Sequence, residues 1–501
     1  MATARLTLDP AFATGTVDRR LFGSFVEHMG RCVYTGIFEP GHPAADEDGF
    51  RTDVLDLVRE LGVTTVRYPG GNFVSNHRWE DGVGPVSERP RRLDLAWRSL
   101  ESNAFGLNEF MAWAGKAGVE PMMALNLGTR GVGEALDLLE YSNHPAGTAL
   151  SDLRRSHGVA DPHDVRMWCL GNELDGPWQM GHKTAHEYGR VAAETARAMK
   201  RFDPGLELVA CGSSNAHIDT FASWEATVLE HTYEFVDYIS LHAYYQPEEG
   251  DLDSFLASGE EMDRMIAAIT ATADHVGARV RSDKKIKLSF DEWNVWYQSR
   301  FGGESSLPWR EAPELIEDVY DVTDAVVVGS LLITLLRHAD RVGAACQAQL
   351  ANVIAPIMTR AQGPAWRQTI FHPFARTARH ARGTVLRVEP ESPLVDTAKY
   401  GPVPALWATA THDEESGEVV LFAVNRSRRE ELALSVDLRA FPRHRVAEHV
   451  VLHDPDPTAT NTEAAPDRVR PRAVAGTKTD DRGLGAELPP VSWTMIRLTD
   501  A

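Results

Sequence analysis

Over roughly the first three quarters of the chain, short apolar or β-branched runs alternate with longer segments whose apolar residues recur at helical spacing. Eight runs stand out: LFGSFVEH (21–28), TTVRYPGGN (64–72), PMMALNLG (121–128), VRMWCLGNE (165–173), LELVACGSS (206–214), VDYISLHAYY (236–245), IKLSFDEW (286–293) and VGAACQAQL (342–350). Their starts lie 30 to 57 residues apart, which leaves room for a crossover helix between successive parallel strands. Residues 53–61 open on an acidic N-cap candidate, Asp53, and stop at Gly62, while residues 186–200 run amphipathically into Asp203-Pro204-Gly205. The pattern predicts an α/β fold, a (β/α)8 barrel over residues 19–378. An open doubly wound sheet fits less well, because the glycine cluster Gly70-Gly71-Asn72 lacks the spacing of a dinucleotide-binding turn.

Beyond about residue 380 the period shortens to alternating strands, among them ALWATATHD, GEVVLFAVNRS, ELALSVDLRAF and SWTMIRLT. Such strands separated by turn residues predict an all-β sandwich over residues 379–501. The strand-like ARLTLDP, within residues 1–18, has nothing to pair with in the barrel and is expected to join that sandwich. Residues 454–467 and 476–484 are poor in hydrophobic side chains and read as loops.

Composition narrows the function. With 51 Lys and Arg against 72 Asp and Glu, the chain carries a formal charge of −21, which repels nucleic acid and anionic membrane surfaces. The N-terminus shows no apolar signal segment and no run of about 18 apolar residues follows, so a soluble cytoplasmic protein is expected. Cys32, Cys169, Cys211 and Cys346 show no CxxC spacing, and the 19 histidines form no HExxH motif, so reduced thiols, no metal and no cofactor are expected. Tryptophan, at 12, outnumbers tyrosine, at 11, and indole faces pack well on the C–H surface of a sugar ring.

In a barrel of this kind the chemistry sits at the C-terminal ends of the strands. Those ends carry Glu27, Arg67 and Asn72, Asn126, Asn172 and Glu173, His242 and Tyr244, Glu292, and Gln349. Glu173 and Glu292 close strands four and seven, across the barrel mouth from each other, each after a mainly apolar run. Two opposed carboxyls among neutral hydrogen-bonding groups suit glycoside cleavage: one protonates the leaving oxygen and the other attacks the anomeric carbon or activates water. Arg67 is the candidate cation beside the ionised partner.

CLGNE (169–173), YPGGNF (68–73), FDEWNVWY (290–297) and Gln-Leu-Ala-Asn-Val (349–353) together resemble the α-L-arabinofuranosidases of glycoside hydrolase family 51. The resemblance extends to both chain ends and implies a barrel with a C-terminal, jelly-roll-like β-sandwich completed by the N-terminal strand. It also implies a retaining, exo-acting enzyme that removes terminal α-L-arabinofuranosyl residues from arabinan or arabinoxylan oligosaccharides. Glu173 then matches the acid/base, Glu292 the nucleophile and Asn172 the contact to the sugar 2-hydroxyl. Glu27, Arg67, Asn72, Tyr244 and Gln349 match polar contacts around the furanose, His242 a histidine that orients a catalytic glutamate, and Trp97 and Trp296 aromatic positions beside the pocket. Trp178, Trp309 and Trp366 either extend that platform or pack loops. A homohexamer is implied by the family. A β-xylosidase or endo-β-glucanase of the same clan is the alternative.

Overall fold

The structure is a computed structural model that describes residues 2–475, 477–479 and 483–500. Eight parallel strands close into a barrel: β1 (Gly23–Phe25), β2 (Thr65–Tyr68), β3 (Glu120–Ala124), β4 (Met167–Cys169), β5 (Glu207–Ala210), β6 (Tyr238–Tyr245), β7 (Lys287–Val295) and β8 (Val342–Gln347). They neighbour one another in chain order, and β8 pairs with β1 through Cys346 opposite Gly23. Helices wrap the outside. The first begins at Thr52 rather than at an acidic cap; Arg51 precedes it and caps nothing, Asp53 lies in the first turn, and Gly62 ends the helix in the left-handed conformation at φ +79°. The helix Ala185–Phe202 opens on a capping box in which the Thr184 hydroxyl and the Glu187 carboxylate satisfy each other's backbone N–H groups.

The β-sandwich has a seven-stranded and a four-stranded sheet. Ala2–Thr7 lies parallel to Leu432–Asp437 in the smaller sheet, and Ala13–Thr16 forms the edge of the larger one beside Thr384–Leu386. The segment Glu418–Asn425 shows why its sequence is apolar throughout. Val419, Leu421 and Ala423 face the four-stranded sheet, whereas Val420, Phe422 and Val424 join the core that continues into the barrel. A strand buried on both faces loses the hydrophobic–polar alternation of a half-exposed one. The same packing buries the helix Val322–Arg337 on every side, with Gly329 pressed against the Trp493 indole.

Residues 476–484 depart from the expected loop. Lys478–Thr479 and Gly483–Leu488 are strands of the four-stranded sheet, while Gly476 and residues 480–482 lie outside the described residues. Small and charged residues hide this edge from a hydrophobicity reading, since only Leu484, Ala486 and Leu488 face inward. Residues 454–467 do form an irregular segment, which docks through Thr323 N–H donating to the Pro457 carbonyl.

Candidate active site

The C-terminal mouth of the barrel gathers Glu27, Arg67, Asn172, Glu173, His242, Tyr244, Glu292 and Gln349, all buried or nearly so. Strand β4 stops at Cys169, and the chain then turns through Gly171 at φ +106° to place Glu173 at φ +45°. That is a costly conformation for a residue with a Cβ, on the order of 1–3 kcal/mol. It directs the carboxyl into the mouth, where one oxygen accepts from Trp178 Nε1 at 2.8 Å and the other meets His242 Nδ1 at 2.8 Å. Gly176 makes the first bond feasible, because a Cβ there would lie 2.5 Å from the Trp178 ring.

Glu292 enters from β7. Its Oε1 accepts from Arg67 Nη1 at 2.7 Å and its Oε2 from the Tyr244 hydroxyl at 2.7 Å, so both oxygens are held. Arg67 also donates to Asn172 Oδ1 at 2.5 Å and lies over the Phe25 ring. Burial works against its charge, but the fields of Asp291 and Glu292 outweigh burial and hold the guanidinium firmly protonated. One carboxyl oxygen of Glu173 and one of Glu292 lie within 4.8 Å of each other.

A second group lines the opposite wall. Glu27 accepts from Trp97 Nε1 at 2.8 Å, from the Phe73 backbone at 2.9 Å and from Gln349 Nε2 at 3.1 Å. No cation is among those partners, and burial pushes its pKa up to about 8. Gly70, at φ +133°, lets the chain pass this carboxylate; a Cβ would sit 2.4 Å from Glu27 Cγ. Asn72 accepts from Gln179 and, at 3.5 Å, from Asn172, which ties it to the β4 end. Trp296 meets the Tyr244 ring edge-on at 5.2 Å between centroids. Of the two glutamines on the β8 segment, Gln349 reaches Glu27, while Gln347 bonds Asn294.

Some residues sort differently from their place in the sequence. Asn126 ends β3 but bonds His77 and Thr129, outside this group. Trp178 is half exposed and yet holds Glu173, whereas Trp309 stacks with Arg98 on the surface. Sequence reasoning missed Gln179 and Asp291; the latter, next to Glu292, was visible only as one more acidic residue. Among the described residues Glu173, His242 and Glu292 are the one group close enough to hold a metal ion. Burial would strip the proton from His242, but the charge of Glu292 and hydrogen bonds to Asp291 and Glu173 raise its pKa to about 10. A protonated imidazole donates from both nitrogens and offers no lone pair to a metal.

Residues 57–264 match the family described as "Alpha-L-arabinofuranosidase 1 domain" and residues 291–492 the "Alpha-L-arabinofuranosidase C-terminal domain". The chain is 64% identical to an intracellular exo-α-(1→5)-L-arabinofuranosidase of Streptomyces lividans, over all of this chain and 76% of that one. It is 52% identical to an exo-α-(1→6)-L-arabinofuranosidase of Bifidobacterium longum, over 99% of this chain and 97% of that one. Its fold superposes on a solved family 51 α-L-arabinofuranosidase of Bifidobacterium longum with a TM-score of 0.96, at 49% identity and 99% coverage of both chains.

Proposed function

Because the chain belongs to the α-L-arabinofuranosidases of glycoside hydrolase family 51, we propose that it is an intracellular exo-enzyme. It removes terminal α-L-arabinofuranosyl residues, with retention, from arabinan and arabinoxylan oligosaccharides. Glu292 is the nucleophile and Glu173 the acid/base. The observation that carries the reading is the separation of the two carboxyls, whose nearest oxygens fall within 4.8 Å. Retaining glycosidases hold their carboxyl groups about 5–5.5 Å apart, while inverting ones leave about 6.5–9.5 Å for a water.

In the first step Glu173 gives its proton to the departing oxygen as a Glu292 oxygen bonds the anomeric carbon. Arg67 and Tyr244 hold the attacking carboxylate in register. In the second step Glu173 takes a proton from water, whose oxygen displaces Glu292. Glu27, Asn72, Asn172 and Gln349 supply hydrogen-bonding groups for the furanose hydroxyls, and Trp97 and Trp296 its apolar walls. The intracellular setting follows the naming of the Streptomyces relative. A homohexamer belongs to the same proposal and is read from the mass in solution.

The test is hydrolysis of aryl α-L-arabinofuranoside, β-xyloside and β-glucoside by wild type, Glu173→Ala and Glu292→Ala. Arabinofuranoside is the expected best substrate. Azide should rescue Glu292→Ala with inverted product and Glu173→Ala with retained product. A preference for xyloside, or near-full activity in Glu292→Ala, would overturn the proposal.

A further inference from the structure

Strand β7 carries one residue more than either neighbour needs. Ser240 and His242 of β6 face Ser289 and Glu292, and Phe290 and Trp293 face Ala345 and Gln347 of β8, so three steps on β7 match two on each side. Such a bulge breaks the alternation of side chains. Phe290 and Trp293 join the hydrophobic core, with Trp293 stacked on Phe374 of an outer helix. The two consecutive carboxylates between them both reach polar partners of the site. Asp291 is 1% exposed and touches no part of the mouth that a substrate enters. Its Oδ1 meets His242 Nε2 at 2.9 Å, its Oδ2 accepts from Ser289 Oγ at 3.2 Å, and Arg67 Nε stands 3.9 Å away.

Burying two adjacent carboxylates costs several kcal/mol per ion unless cations oppose them. Resting on the reading above, we infer that Asp291 is a positioning residue that keeps His242 an imidazolium through both half-reactions, so that negative charge passes between Glu292 and Glu173 at constant net charge. In the resting site Asp291 and Glu292 oppose Arg67 and His242. In the first step the Glu173 proton leaves on the aglycone oxygen, the C1–O bond breaks, and Glu292 spends its charge in the new ester. Asp291 and Glu173 then oppose the same two cations. In the second step water gives its proton to Glu173, its oxygen bonds C1, and the electron pair of the ester bond returns to Glu292. His242 Nδ1 is placed for both states, 2.8 Å from Glu173 and 3.7 Å from Glu292.

The charged groups acting on His242 and Asp291 are these five and Asp175, two residues beyond Glu173, whose own pKa burial pushes up to about 6. The thiols of Cys169, Cys211 and Cys346 stay neutral, because burial raises all three. Burial would raise Asp291 as well, yet Arg67 and His242 hold it below the ordinary aspartate value.

The experiment is a pH titration of the full-length protein labelled with 15N-histidine, the His242 ring signals being identified by their loss in His242→Gln. In wild type both ring nitrogens should stay protonated past pH ~8, and Asp291→Asn should lower the titration by about two units. Through that new range, kcat/KM on an aryl arabinofuranoside should fall about tenfold per pH unit, a limb absent from the Asp291→Asn/His242→Gln double variant. Ser289→Ala, which removes one hydrogen bond to Asp291, should move the ring titration the same way by a few tenths of a unit, and decides the matter should Asp291→Asn not fold. A ring already neutral at pH ~7 in wild type, or a titration unmoved in these variants, overturns the inference. Failure of wild type to hydrolyse arabinofuranosides would instead sink the proposed activity, since the ring titration reads independently of turnover.

Discussion

Tyr244→Phe removes one oxygen atom from the candidate site and nothing else. The Tyr244 hydroxyl donates to Glu292 Oε2 at 2.7 Å, and the next donor to that oxygen, His242 Nδ1, is 3.7 Å away. The substitution therefore leaves one side of the buried carboxylate without a close partner, while Arg67 still grips the other at 2.7 Å. A hydrogen bond to a charged group contributes about 1.5–3 kcal/mol, which corresponds to a factor of about 10–150. The ring itself should stay, because its edge-on contact with Trp296 does not involve the oxygen. We expect kcat/KM on an aryl α-L-arabinofuranoside to fall by that factor, with the unfolding temperature shifted by less than about 2 °C. With an activated leaving group, rapid mixing separates formation of the arabinosyl-enzyme from its hydrolysis, and the loss should fall mainly on formation, the step in which the carboxylate attacks. A kcat/KM within about twofold of wild type, or a defect confined to hydrolysis of the intermediate, would refute Tyr244 as the group that holds the nucleophile.

Two further outcomes bear on the scaffold. Glu27 has its pKa raised by burial to about 8, so between the ordinary glutamate value and pH 8 the unfolded chain releases a proton that the native protein keeps. Its contribution to stability is therefore lost as pH rises through that window, and chemical denaturation of Glu27→Gln should show a shallower decline from pH ~5 to ~8 than wild type; parallel slopes would contradict the assignment. Gly329→Ala would put a Cβ 2.2 Å from Trp493 Cδ1, where the helix Val322–Arg337 packs against the sandwich. Overpacking of this kind costs about 1–3 kcal/mol and should lower the unfolding temperature while leaving KM unchanged; an unaltered transition would mean that this interface yields freely.

The hydrophobic pattern by itself located all eight barrel strands, since each is a short apolar run that must be buried between helices and lumen. Their polar C-terminal ends also marked Glu173 and Glu292, because a glutamate after an apolar run has few places to go other than the rim. What periodicity cannot carry is an irregularity of one residue. The bulge in β7 that brings Asp291 beside Glu292 in the site, and the left-handed turn that aims Glu173, leave no mark in an averaged alternation. Gln179 reached Asn72, and Trp178 the acid, only through a loop whose course depends on Gly176. The strand at Gly483–Leu488 was hidden by its charged and glycine residues. Sequence determined which residues must be buried and which strand ends they follow. The tertiary structure alone decided which polar groups meet, because contacts such as Arg67 with Glu292 join residues 225 positions apart, and the energy of a buried charge depends on the partners within a few ångströms of it.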